Sequence, residues 1–379
     1  MKKTIFSAAL LGFVSIMCAQ SGQKLKSDNP LDCKTDVLFD AAINTYFTET
    51  RGALSAAVYI RGNTFFYNYA QGQEILPTDS TLFEIGSITK TFAGYLLAKA
   101  AVDNQVNLQD DIRQYLPGEY PNLAYHSHPV RLCQLINHSS GLPYDFIDRT
   151  PFAKLSEDDM APLVVALESK ITPGRILQDL HTVQLKAEPG IGLSYSNVGA
   201  QLLGMILESI YAKPYTQLVS EWITDPMGMK DTRFELPAQS DRTIAGHSVT
   251  GKIMPHASSG LAGGLYSSSR DLLKYGIRYL NEDDMLIALT HQPTWGQIEY
   301  YAMGLNWQMQ HKAGEARRIW QSGSTLGYTS LLSIYPDDGI VIVLLSNRHD
   351  QDSEGNLSTV AQTLFEQIRN IKIFNFQFN

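Results

Sequence analysis

Apolar positions recur along this chain with two different periods, and the stretches over which each period holds outline the fold. Over residues 35–48 they fall at Leu38, Ala42, Ile43, Tyr46 and Phe47, the three-to-four spacing of an amphipathic helix. Residues 54–60 and 64–70 read instead as two strands of a hairpin turning at Arg61-Gly62-Asn63. From residue 87 to about 289 the pattern is mostly helices and long loops. It includes a helix over residues 90–99 with Phe92, Leu96, Leu97 and Ala100 on its stripe, a buried one over 130–136, and an apolar one over 200–210. Strands follow at residues 302–310, 317–321, 330–335 and 340–346, then a closing helix over 357–369. Residues 144–173 and 292–299 read as loops, with Glu157-Asp158-Asp159 a solvated helix start.

Strands at both chain ends with helices between them predict an α/β (α+β) fold. One antiparallel sheet, built from both ends and flanked by helices, carries a large, mostly helical insertion. Residues 35–86 and 300–370 form the α/β part and 87–299 the helical part of one domain over 35–370. In the tail, 371–379, the stretch Ile371 to Phe376 alternates apolar and polar residues and is expected to add an edge strand.

The first 19 residues follow another logic. Lys2 and Lys3 precede an apolar stretch from Ile5 to Met17 and then Cys18-Ala19-Gln20, the layout of an export signal cleaved after Ala19. Lipidation of Cys18, giving an N-terminal anchor, is the weaker alternative because bulky Met17 precedes it. Residues 20–34 then form a polar tether, and the mature protein is expected to be periplasmic or secreted, with no transmembrane segment. With 379 residues, 44% of them hydrophobic, the chain can bury a sizeable core. A net charge of -8 without a basic cluster argues against nucleic acid as a partner. Cys33 and Cys133 could bridge in an oxidising compartment, but Cys133 lies in a buried apolar segment where a free thiol behaves as a small hydrophobe. His126-Ser127-His128 has metal-ligand character, yet no set of three or four ligands accompanies it, and neither metal nor cofactor is expected.

The candidate chemistry lies in Ser87-Ile88-Thr89-Lys90 and Tyr195-Ser196-Asn197. A hydroxyl becomes nucleophilic only when a neighbour takes its proton. If Ser87 starts a helix after the turn at Gly86, Lys90 lies one turn above it and its amine reaches back to the hydroxyl. Tyr195 follows Pro189-Gly190 on a loop before a packed helix; a lysine cation close by would favour its phenolate, making it an alternative base. Neither pattern is specific alone. Ser21-Gly22-Gln23-Lys24, Tyr120-Pro121-Asn122 and Tyr279-Leu280-Asn281 match as well, without catalytic surroundings.

Four wider phrases carry a resemblance over roughly residues 50–350: Phe83-Glu84-Ile85-Gly86-Ser87-Ile88-Thr89-Lys90-Thr91-Phe92, Leu135-Ile136-Asn137-His138-Ser139-Ser140-Gly141-Leu142-Pro143, Tyr195-Ser196-Asn197-Val198-Gly199, and Gly260-Leu261-Ala262-Gly263-Gly264-Leu265-Tyr266-Ser267. They stand in the order seen in the class C β-lactamases, a family that also holds D-alanyl-D-alanine carboxypeptidases, related peptidases and family VIII-type esterases, and the chain resembles it. The resemblance implies Ser87 as the acylated nucleophile, Lys90 and Tyr195 as the proton-transfer pair, and Asn197 as a contact to substrate amide or to Lys90. It implies a small-molecule or peptide acyl substrate, and a structural rather than basic role for His138. It further identifies Gln321-Ser322-Gly323 as the third segment, on a strand edging the cleft, with the backbone N–H groups of Ser87 and Ser324 as the oxyanion hole.

That third segment departs from the family pattern, in which a lysine or histidine stands where this chain has Gln321. A neutral amide cannot form the stronger charge-assisted bond to a substrate carboxylate. Ester or peptide/amide hydrolysis is therefore expected ahead of β-lactamase or D-alanyl-D-alanine carboxypeptidase activity. A non-catalytic module binding cell-wall peptide is the alternative from another class.

Overall fold

The computed structural model describes residues 25–49, 51–236, 241–257 and 260–371. Residues 1–24, which hold the expected export signal and Cys18, and residues 372–379 of the tail lie outside them. In chain order, Leu25–Ser27 (β1) leads into the helix Lys34–Glu49 (α1) and the hairpin Ala53–Ile60 (β2) and Asn63–Gln71 (β3). A helical region follows, containing Thr89–Val102 (α2), Leu132–Ile136 (α3), Glu157–Glu168 (α4), Asn197–Tyr211 (α5) and Ser269–Arg278 (α6). The chain then returns to the sheet through Trp295–Gln297 (β4), Tyr301–Met303 (β5), Gln308–Gln310 (β6), Arg318–Ser324 (β7), Thr329–Tyr335 (β8) and Ile340–Ser346 (β9), and closes with Ser353–Ile368 (α7).

All nine of these strands form one antiparallel sheet in the order β1-β3-β2-β9-β8-β7-β6-β5-β4, so both chain ends meet at the β2–β9 pair. The run Ile340-Val341-Ile342-Val343-Leu344-Leu345 shows why a central strand has no polar face. Successive side chains point to opposite faces. Ile340, Ile342 and Leu344 join Phe39, Ile43, Leu364 and Phe365 of α1 and α7 in one core. Val341, Val343 and Leu345 join the core shared with α2, α5 and α6 on the other face. α2 is buried on nearly every side, including Lys90, which is 1% exposed.

Four sequence expectations change. Residues 25–27 of the polar tether form edge strand β1, in register with Tyr69, Ala70 and Gln71 of β3. The strand expected over residues 302–310 is a hairpin, β5–β6, closed where Gly304 N–H donates to Trp307 C=O at 2.8 Å; Asn306 turns it at φ 65°. Leu305 and Trp307 looked like strand residues because both are fully buried, although they sit in the turn. The loops expected at residues 144–173 and 292–299 contain α4 and β4 respectively. The closing helix starts at Ser353, four residues before the first apolar position of its stripe. Cys33 and Cys133 are free thiols, exposed and buried respectively. His128 Nδ1 pairs with Glu188 at 2.9 Å. Among the described residues no helix is long and apolar enough to cross a membrane.

Candidate active site

Ser87 sits in a single 3₁₀ turn, Gly86–Ile88, that runs directly into α2. Lys90 therefore stands on the first turn of α2, and its Nζ lies 2.9 Å from Ser87 Oγ, as the three-residue spacing predicts. The amine also donates to Ala262 C=O at 2.6 Å, which anchors it from the segment Gly260–Gly263.

Tyr195 arrives from the start of α5. Ser196 is the N-cap, its Oγ accepting from Gly199 N–H at 2.9 Å and donating to Pro143 C=O at 2.7 Å, so the phenol just before it is set by the helix start. His138 secures the other side. Its carbonyl accepts Ser194 N–H at 2.7 Å, its Nδ1 accepts Ser196 N–H at 3.3 Å, and its ring lies 4.2 Å from that of Tyr195. Burial, with the nearby Lys90 amine adding to it, pushes the imidazole down to about 3, matching the neutral acceptor this geometry requires. The Tyr195 hydroxyl is hydrogen-bonded to Ser87 Oγ. One oxygen thus touches both the amine and the phenol.

The protonation states differ from the sequence expectation. Burial pushes the Lys90 ammonium down to about 7, the negative Glu354 opposing part of the shift. Burial also raises the Tyr195 phenol above its ordinary value, and its bond to Ser87 offsets only part of that. Tyr195 keeps 38% of its surface open to the cleft, but Tyr144, His138 and β7 crowd it. Desolvation outweighs any help from Lys90, because the enclosure that would strengthen the cation's pull also removes the cation. The group poised near neutrality is the amine, not the phenol.

The third segment, Gln321-Ser322-Gly323, lies on β7. β6 pairs only with Arg318, Ile319 and Trp320, so Gln321–Ser324 is an open stretch of β7's edge. Thr325 N–H donates back to Tyr328 C=O at 3.0 Å, and alternation along the strand turns the Ser324 N–H the opposite way, toward the open edge. Two glycines permit the approach of strand to turn. A Cβ on Gly323 would lie 2.2 Å from Ile85 O and 2.7 Å from Ser87 N; one on Gly86, at φ 47°, would lie 2.7 Å from Ser324 N. Ser330 Oγ clamps the junction, donating to Ile85 C=O at 2.9 Å and Gly323 C=O at 3.2 Å.

Gln321 is 3% exposed and its Oε1 accepts from Gln308 Nε2 at 2.8 Å, extending a chain that begins at the Tyr301 hydroxyl. The Asn197–Lys90 alternative is not realised; the Lys90 amine is taken by Ser87 and Ala262, and Asn197 lines the cleft instead. Sequence reasoning missed Glu354, on the first turn of α7, whose carboxylate accepts the hydroxyls of both Ser322 and Ser324. The polar run Asp352-Ser353-Glu354 before an apolar stripe is a helix-start signature and was the available signal.

The cleft divides around Ser87. A chamber of about 290 Å³ is lined by Tyr144, Arg149, Asn197, Ser324 and Leu326, and one of about 390 Å³ by Tyr195, His138, Tyr301, Gln308, Gln321 and Glu354.

The chain is similar to known proteins in sequence and in fold. A D-alanyl-D-alanine-carboxypeptidase/endopeptidase, AmpH of Escherichia coli K12, is 25% identical over 372 residues, covering 91% of this chain and 93% of the relative. A β-lactamase of Pseudomonas fluorescens is 25% identical over 345 residues, covering 79% and 90%. A solved class C β-lactamase superposes with a TM-score of 0.73 at 21% identity, covering 89% of this chain and 98% of its own. The Beta-lactamase family profile matches residues 39–365, and the chain belongs to that family.

Proposed function

We propose that the protein is a serine hydrolase acting on ester or amide bonds through an acyl-enzyme on Ser87. The observation that carries this is the pair of contacts on Ser87 Oγ, from Lys90 Nζ at 2.9 Å and from the Tyr195 hydroxyl. In the neutral form that burial favours, Lys90 takes the Ser87 proton as Oγ attacks the substrate carbonyl carbon. The N–H groups of Ser87 and Ser324 receive the charge that develops on the carbonyl oxygen. As the bond to the leaving oxygen or nitrogen breaks, Tyr195 protonates that atom and regains a proton from the Lys90 ammonium. Water then repeats the sequence on the acyl ester and frees Ser87. Asn197 and Tyr144 face the smaller chamber and orient the acyl half.

Among substrates, esters and amides without a carboxylate beside the scissile bond rank first, because Gln321 supplies no cation. Similarity to a D-alanyl-D-alanine-carboxypeptidase/endopeptidase supports a peptide amide as second reading, and to a β-lactamase a lactam as third. A fluorophosphonate probe followed by intact mass and peptide mapping tests the chemistry: one adduct on Ser87, absent from Ser87→Ala, is expected. No adduct would leave only a binding module. Short p-nitrophenyl esters should turn over well above nitrocefin; equal rates would refute the ranking drawn from Gln321.

A further inference from the structure

The chamber that holds Tyr195 is the side on which a leaving group departs, since that phenol is the proton donor in the mechanism above. Among the residues lining it, Glu354 is the only formally charged one, and no Lys or Arg is present. Its two carboxylate oxygens are held separately, Oε2 by the Ser322 hydroxyl and Oε1 by the Ser324 hydroxyl, and it makes no ion pair among the described residues. Both serines belong to the stretch of β7 that β6 leaves unpaired, and Ser322 lines the chamber together with Ser87. Both are committed to Glu354. Gln321 adds no charge, and its Oε1 is turned to Gln308 Nε2. A carboxylate entering here meets an anion that already holds both neighbouring strand hydroxyls, whereas a cation finds a carboxylate already oriented.

A helix-start acid can also serve only its own helix, because the first turn favours negative charge. That role does not require both carboxylate oxygens to be held by strand hydroxyls, and it does not explain why the one formally charged side chain lining this chamber is negative. We propose that Glu354 is the specificity-determining residue of the leaving-group chamber and selects esters or amides whose departing half carries a protonated or quaternary amine. This rests on the acyl-enzyme reading, which fixes the side the leaving group occupies. It adds to the missing cation at Gln321 an active preference of opposite sign.

The test uses three butyrate esters of similar shape and different charge: those of choline, of its neutral isostere 3,3-dimethylbutanol, and of 4-hydroxybutyrate. The readout is the choline-to-hydroxybutyrate ratio of kcat/KM within each preparation, so that active fraction cancels. Ser87→Ala supplies the same ratio as dissociation constants without turnover. A charge-assisted contact at a partly desolvated site predicts a ratio of about tenfold or more in both measurements. Glu354→Gln should collapse it to about unity, and Glu354→Lys, which needs no new packing volume in the open chamber, should invert it. Equal affinity of Ser87→Ala for the two charged esters, or a ratio that survives Glu354→Gln, overturns the assignment. If the wild type hydrolyses none of the three while Ser87→Ala keeps the ratio, the catalytic reading fails and the role of Glu354 in cation selection stands.

Discussion

Gly323→Ala tests the oxyanion site with a single methyl group. The added Cβ would stand 2.2 Å from Ile85 O, where ordinary contact begins near 3.4 Å, so β7 and the Ile85–Ser87 turn must separate by about 1 Å. The same methyl would sit 2.7 Å from Ser87 N and 2.8 Å from Ser330 Oγ, so neither the donor nor its clamp can stay in place. A donor moved by that distance leaves hydrogen-bonding range of the developing oxyanion, and losing one such donor lowers kcat by about 10²- to 10³-fold. Overpacking costs stability as well, by about 1–3 kcal/mol, which leaves a domain of this size folded. Steady-state hydrolysis of a neutral p-nitrophenyl ester, with circular dichroism melts on the same samples, separates the two effects. A folded Gly323→Ala enzyme retaining kcat within threefold of wild type would refute the assignment of Ser87 and Ser324 N–H groups as the hole.

Other outcomes follow from the same site. Because activity needs neutral Lys90 and burial holds it at about 7, kcat/KM for a neutral ester should rise about tenfold from pH 6 to pH 8, as measured in a constant-ionic-strength buffer series; a flat profile over that range would exclude Lys90 as the base. Lys90→Met should lower kcat by about 10²-fold or more. It should also raise Tm relative to wild type more at pH 6 than at pH 9. The lysine's folded value lies below its unfolded one, so its burial penalty is fully present below about pH 7 and fades as pH rises. An unchanged Tm difference across that range would count against a buried charge. Gln321→Lys should increase kcat/KM for nitrocefin and for D-alanyl-D-alanine peptides by about tenfold through a new charge-assisted contact; unchanged constants would mean that position 321 does not face substrate.

What the sequence made legible was whatever a local rule controls. The Ser87–Lys90 contact follows from helix spacing, and the two-sided burial of β9 from an unbroken apolar run. Errors arose where a tertiary contact overrides the local pattern. Leu305 and Trp307 are buried in a turn and so passed for strand, and residues 25–27 of the polar tether gain strand structure only from β3's free edge. Glu354 was missed because its partners, Ser322 and Ser324, lie about 30 residues away in the chain and on another element. The protonation of Tyr195 was misjudged for a related reason. Proximity of lysine and tyrosine can be read from motifs, but the desolvation that decides which of them holds the proton comes from the whole enclosing fold.

The glycine junction between the Ser87 turn and β7 also bears on when the protein becomes active. In the proposed mechanism the nucleophile, Ser87, belongs to the first quarter of the chain and the second oxyanion donor, the Ser324 N–H, to the last fifth. Domains assemble as units, and a contact of such long sequence separation forms late, after the loop-closure entropy has been met. A partly synthesised chain therefore carries Ser87 and Lys90 without an oxyanion site. Under that mechanism hydrolytic competence arises only once β7 has docked, which would make activity itself a readout of completed folding.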